Sequence, residues 1–172
     1  MKIKLGLIVC LLVSGVLHAQ KPVTVECSVG EGVGTTIQLF GVDKGEKKVL
    51  ASASYNQNGY YGFSFIPKYE GFYVVGDGRL YEYPLYLKAG DAVSLFMDKD
   101  TVYLTGKHNT AENKVLYEWV NLSKRVCEKS TYFMRVRNST YEDFFPDFEA
   151  LLAKTEPFCK SIKTKNTRFN EL

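Results

Sequence analysis

The chain has 172 residues, with 22 Lys and Arg against 19 Asp and Glu and a formal net charge of +3. A near-neutral balance with no clustered basic excess argues against a nucleic-acid partner. The length suits one domain, or one domain with an appendage.

Residues 1–19 read as a secretory leader. Lys2 and Lys4 supply the positive start, Leu5 to Val13 the apolar core, and Leu17-His18-Ala19 a small residue before the cut, leaving Gln20 as the new N-terminus. The apolar run is shorter than the roughly 20 residues that span a bilayer. Cys10 sits inside that run behind Val9, where a lipidated cysteine wants a small neighbour, and reads as apolar filler. The expected location is the periplasm or cell envelope, with no stable membrane span after cleavage. Removing the leader takes away Lys2 and Lys4 and leaves Cys27, Cys127 and Cys159. An oxidising compartment allows one disulfide and one remaining thiol.

From Val23 to Thr105 the pattern has period two, interrupted by turn residues. Val23, Val25, Cys27 and Val29 alternate with Thr24, Glu26 and Ser28. A glycine-rich break over residues 30–34 leads to a strand over Thr35 to Val42, and Asp43-Lys44-Gly45-Glu46 turns it into Val49 to Tyr55. Asn58-Gly59 is a hairpin signal, because both residues tolerate positive φ. Tyr61, Phe63 and Phe65 alternate in the next strand. Phe72 to Val75, Leu80 to Leu87, Val93 to Phe96 and Val102 to Leu104 follow, separated by Asp77-Gly78, Gly90-Asp91 and Asp98-Lys99-Asp100. Pro84 lacks a ladder donor and predicts an edge strand or bulge. Eight short strands with close turns predict a mainly β domain, an antiparallel sandwich or barrel.

After Gly106 the period changes to helical. Val115, Leu116, Trp119, Val120, Ser123, Val126 and Cys127 recur at helix spacing. Thr140-x-x-Asp143 resembles a capping box, with Asp in the usual Glu place. Phe144, Phe145, Phe148, Leu151 and Leu152 form an apolar stripe behind it, and Pro157 is expected to end or kink that helix. Residues 166–172 read as the opening turn of a further helix, which suggests a truncated or split parent with a mobile tail. The expected organisation is a leader over 1–19, an antiparallel β domain over 20–107 and a helical segment over 108–172.

Candidate chemistry is sparse. His108 is the single histidine outside the leader, lies in a polar connector, has no Gly-x-Ser-x-Gly partner and reads as a solvated loop residue. One histidine and widely spaced cysteines do not make a zinc site. Asp98 and Asp100 flank a predicted hairpin tip without the ligand pattern of a calcium loop, and read as a polar turn. Tyr81 and Tyr83, two apart, present an aromatic strip to a sugar or peptide if their face is exposed; half-buried strand tyrosines are the simpler reading. Trp119 lies on the helical apolar stripe and reads as packing. Cys127 and Cys159 lie on successive predicted helices; paired, they close a loop of about 31 residues, and two unpaired buried thiols are the alternative.

The order of four stretches resembles the N-terminal domain of unknown function that precedes thioredoxin-like domains in exported bacterial thiol-disulfide oxidoreductases. The stretches are Asn58 to Phe65, Gly71 to Val75, Pro84 to Val93, and Leu104-Thr105-Gly106 before Glu112 to Leu116; the helical region ending at Asn166 to Phe169 is similar to that family's connector. The resemblance implies an exported domain that positions a thioredoxin-like domain or contacts envelope protein substrates. That family's redox chemistry lies in a downstream Trp-Cys-x-x-Cys, and no Cys-x-x-Cys occurs here. The expectation is therefore a non-catalytic chain with no catalytic, cofactor-binding or metal-ligating residues and no cofactor. The alternative is a free-standing envelope β-sandwich binding module for a glycan or peptide.

Overall fold

The computed structural model describes residues 21–31, 33, 35–55, 59–79, 81–99, 101–134 and 141–171. The expected leader lies outside them, as do Asn58, Asp100 and Thr140. The elements in chain order are β1 (Val23–Val29), β2 (Thr36–Asp43), β3 (Glu46–Ser54), β4 (Tyr61–Phe65), β5 (Gly71–Gly76), β6 (Glu82–Leu87), β7 (Ala92–Met97) and β8 (Val102–Leu104). Three helices follow: α1 (Ala111–Met134), α2 (Tyr141–Ser161) and α3 (Thr167–Asn170).

The strands form two four-stranded sheets, ordered β4-β1-β7-β8 and β3-β2-β5-β6. This is the expected sandwich. One pair, β1 with β7, is parallel. Alternation explains the core: Val23, Val25 and Cys27 of β1 point inward with Ile37 and Leu39 of β2, Tyr73 and Val75 of β5, and Val93, Leu95 and Met97 of β7. Burying each large side chain of this kind is worth about 1.5–3 kcal/mol.

Two connections differ in detail from the sequence reading. Lys44 and Gly45 have φ of 52° and 84°, a primed two-residue turn, so β3 pairs with β2 from Glu46 onward instead of starting at Val49. Gly59 does adopt positive φ, but β3 and β4 belong to different sheets. The β3–β4 connection therefore crosses between layers and is not a hairpin. Of the two expected effects of Pro157, an end or a kink, the first does not occur: α2 runs on to Ser161 with Pro157 inside it. A proline removes one helical hydrogen bond, and the packing of Phe158 on Trp119, with ring centroids 5.6 Å apart, holds the next turn in place. Pro84 behaves as expected, since β6 is an edge strand.

The two open sides of the sandwich are treated differently. On one side, α1 packs against β6 and β8 and adds Tyr117 to the core, with Leu116 and Val120 beside it. The packing therefore continues past residue 107 into the helix. On the other side β3 is an uncovered edge. Lys47 and Lys48 lie on it, and Leu50 is an extra residue between the pairs Leu39↔Ala51 and Phe40↔Val49. Edge lysines and a bulge both discourage further strand pairing.

The distal part of α1 pairs with α2. Asp147 of α2 receives Arg125 Nε at 2.8 Å and Lys129 Nζ at 2.5 Å. The chain then returns to the β domain. Asn166 caps α3, its Oδ1 accepting from Phe169 N–H at 3.1 Å, and Phe169 is buried with its ring 4.9 Å from that of Tyr86. Residues 166–169 of the expected tail thus sit in an aromatic seat on β6.

Candidate functional site

The structure places the sequence candidates apart. His108 is exposed in the β8–α1 connector. Asp98 braces the β7–β8 turn, its Oδ1 accepting from Thr101 N–H at 2.7 Å. Cys27 is fully buried, and that burial, with Glu26 beside it, pushes its thiol far above the usual range. Cys127 and Cys159 are both exposed and are not joined in a disulfide. The buried position near Cys127 on the α1 stripe belongs to Ser123, whose Oγ donates to Trp119 O at 2.8 Å.

The tyrosines divide by register. Tyr83 shares the inward face of β6 with Leu85 and Leu87 and packs on the core, so Tyr81 and Tyr83 form no exposed strip. Tyr61, Tyr73 and Tyr86 are buried. Tyr69 is a brace: its hydroxyl accepts from Val42 N–H at 2.7 Å, and its single proton has Val42 O and Phe72 O within 3.0 Å.

An aromatic row does occur, on the outer face of the β4-β1-β7-β8 sheet. Ser28 of β1 is registered with Phe96 of β7, and Phe96 with Tyr103 of β8. Tyr60 directly precedes Tyr61, the partner of Cys27, and its ring lies on the face of Gly62. Ser28, Phe96 and Tyr103 thus form one line across three strands, with Tyr60 just before β4 on the same face. The Phe96 and Tyr103 rings stack with centroids 5.1 Å apart, and Tyr103 is 47% exposed.

Glycines make room for two of these rings. A Cβ at Gly62 would sit 3.4 Å from the Tyr60 ring, and one at Gly30 would sit 3.0 Å from Phe96 and 2.7 Å from Asp98 Cβ. A side chain at Gly30 would collide, so Phe96 lies over bare backbone there.

The next rung is polar: Gly62, Glu26 and Ser94 are registered side by side. Ser94 Oγ donates to Glu26 Oε2 at 3.3 Å. Ser94 is itself fixed, its N–H donating to Asn109 Oδ1 at 2.9 Å and its carbonyl accepting from Thr105 N–H at 2.8 Å. The platform therefore consists of aromatic rings beside a carboxylate–hydroxyl pair, centred on β1 and β7, which are paired on both sides. Its chemistry is stacking and hydrogen-bond acceptance. Sequence reasoning missed it because the β7–β8 and β1–β7 registers, not spacing along the chain, bring Ser28, Phe96 and Tyr103 together.

A shallow cleft of about 190 Å³ opens elsewhere, between the β3 and β4 edges, lined by Leu50, Phe65, Ile66, Lys68, Tyr69 and Tyr73. Among the described residues no group of three or more His, Cys, Asp or Glu is placed to hold a metal ion, and no helix is long and apolar enough to cross a membrane.

Fold and site together define a two-sheet β-sandwich domain carrying a helical arm. No protein family and no curated protein matches the sequence. Solved structures that overlap it include the family 26 carbohydrate-binding module CBMbc of Eubacterium rectale Amy13K in complex with maltoheptaose, at 18% identity and a TM-score of 0.36 over 51% of each chain. A candidate cell-adhesion protein from Bacteroides ovatus overlaps 52% of this chain and 45% of its own at 11% identity and a TM-score of 0.29. One from Bacteroides fragilis overlaps 53% and 45% at 16% identity and a TM-score of 0.28. The match spans about half the length of each, and overlap at this level carries no argument about what this chain binds.

Proposed function

We propose that this chain is an exported carbohydrate-binding module that takes a glycan on the outer face of its β4-β1-β7-β8 sheet. The row Ser28, Phe96, Tyr103, with Tyr60 on the same face, carries the reading. A pyranose ring presents an apolar C–H face that lies well on an aromatic ring, and a rim of hydroxyls that donate to carboxylates and hydroxyls. The platform supplies both kinds of partner, one rung apart. A sugar suits this face better than a peptide strand does. Peptides add to sheets through unpaired backbone, and β1 and β7 are paired on both sides.

The test is titration calorimetry of the leader-free chain against a panel of soluble polysaccharides. At least one should bind, and Tyr103→Ala should weaken it about tenfold or more, which is roughly 1.4 kcal/mol. Absence of binding across the panel, or equal binding by Tyr103→Ala, would overturn the reading.

Association with a thioredoxin-like domain is a separate proposal and rests on the sequence resemblance. An in-frame Cys-x-x-Cys segment in the gene beyond codon 172 would support it.

A further inference from the structure

We propose that Glu26 makes the platform selective for uncharged saccharides over acidic ones; the inference rests on the glycan reading above. Glu26 sits at the centre of the polar rung, exposed on β1 between Gly62 of β4 and Ser94 of β7. Ser94 occupies Oε2 through its hydroxyl. A carboxylate has only acceptor sites, so the remaining lone pairs of Glu26 select for groups that donate. Sugar hydroxyls do so. The carboxylate of a uronic acid does not, and brings a second negative charge to the same place.

The surroundings reinforce this sign. Gly62, Ser94 and Ser28 around Glu26 are uncharged, and Asn109 behind Ser94 is neutral. At the far side of the aromatic row Asp98 lies against Gly30, with Oδ2 3.3 Å from where a Cβ would be. Glu31 O accepts from Lys99 N–H at 3.4 Å beside it, a backbone bond that ties the β1 end to the β7 end there. A saccharide lying along the row is thus flanked by Glu26 on one side and Asp98 on the other. Among the described residues no positive side chain is registered on the Glu26 rung.

Binding should be compared for neutral glucan and mannan oligosaccharides and for the same oligosaccharides oxidised to uronic acids at C6. The wild-type chain should favour the neutral member by about tenfold or more at low salt. The preference should shrink in about 1 M salt, where the Debye length falls to about 3 Å. Glu26→Gln keeps the side chain's shape and one acceptor but removes the charge. It should reduce the preference to about threefold or less, whereas Tyr103→Ala should weaken both members alike. Equal binding of neutral and acidic members by the wild type, or an unchanged ratio in Glu26→Gln, would overturn the selectivity while leaving the glycan reading intact. Binding of neither member, together with no binding across the wider polysaccharide panel, would overturn both.

Discussion

Asn113 holds Tyr86 by both of its backbone groups: Oδ1 accepts from Tyr86 N–H at 2.9 Å and Nδ2 donates to Tyr86 O at 2.8 Å. One turn earlier Asn109 makes the same pair of bonds to Ser94, at 2.9 and 3.1 Å. Tyr86 belongs to one sheet and Ser94 to the other. The start of α1 therefore stitches both layers, each amide standing in for a strand that is not there. Thr110 caps the helix between them, its Oγ1 accepting from Asn113 N–H at 3.3 Å.

Replacing Asn113 with Ala should be costly for this reason. Both polar groups of a buried strand residue lose their partner, and each orphan costs about 1–3 kcal/mol. The expected loss is on the order of 2–4 kcal/mol in denaturant unfolding. Asn113→Asp should also destabilise, because its second oxygen would face Tyr86 O. A loss under about 0.5 kcal/mol for Asn113→Ala, the range of an ordinary surface change, would contradict the stitching role.

The same tyrosine fastens the other end of the helical arm. Its ring meets Phe169, while its hydroxyl donates to Glu70 Oε1 at 3.2 Å and Asn166 Nδ2 donates to that same oxygen at 2.6 Å. Hydrogen exchange should therefore show protected amides at Phe169 and Asn170, not a steady decline toward the C-terminus. Phe169→Ala should remove that protection and cost about 2–4 kcal/mol, near the lower part of the range for burying an aromatic ring in a core. Rapid exchange at both amides in the unaltered chain would sink the docked arrangement.

The sequence made the strands legible and the sheets illegible. Alternation such as Val23, Val25, Cys27 is a local signal, and so are the turns at Gly78 and Gly90, where φ is 75° and 87°. Sheet membership is not local. Asn58-Gly59 has the chemistry of a hairpin turn yet lies between strands of different layers. For Tyr81 and Tyr83 the simpler reading, half-buried strand tyrosines, holds for Tyr83, which packs on the core; spacing shows which residues share a face but not which face is buried. Tyr60 and Phe96 were overlooked because their rings rest over Gly62 and Gly30, and only the fold brings each ring onto its glycine. The pattern assigns no role to Asn109 or Asn113, since nothing in the chain indicates that two strand residues wait for their amides.

The acid limb of the stability curve should depend on Glu112. This nearly buried residue of α1 faces Lys88 Nζ at 3.3 Å. Burial alone would raise its pKa, but the helix-start N–H, Lys88 and Asn166 outweigh that and hold it below its ordinary 4.5. Asp147 is likewise held below 3.8, first by its bond to Lys129 and then by Arg125. A carboxyl with a depressed folded pKa contributes stability that is present above its unfolded pKa and lost as pH falls through the folded value. Asp91 has the opposite sign: burial raises it above 3.8 despite the bond that Lys88 N–H donates to its Oδ2. Its contribution is full below 3.8 and lost as pH rises through the folded value. Thermal unfolding measured from about pH 3 to pH 7 should therefore give Glu112→Gln a flatter acid limb than the unaltered chain, and Asp91→Asn a steeper one. Lys88 and Glu70 also face this cluster, so Lys88→Met should flatten the limb in the same direction as Glu112→Gln. Parallel acid limbs for all four proteins would show that these carboxyls do not set the pH dependence.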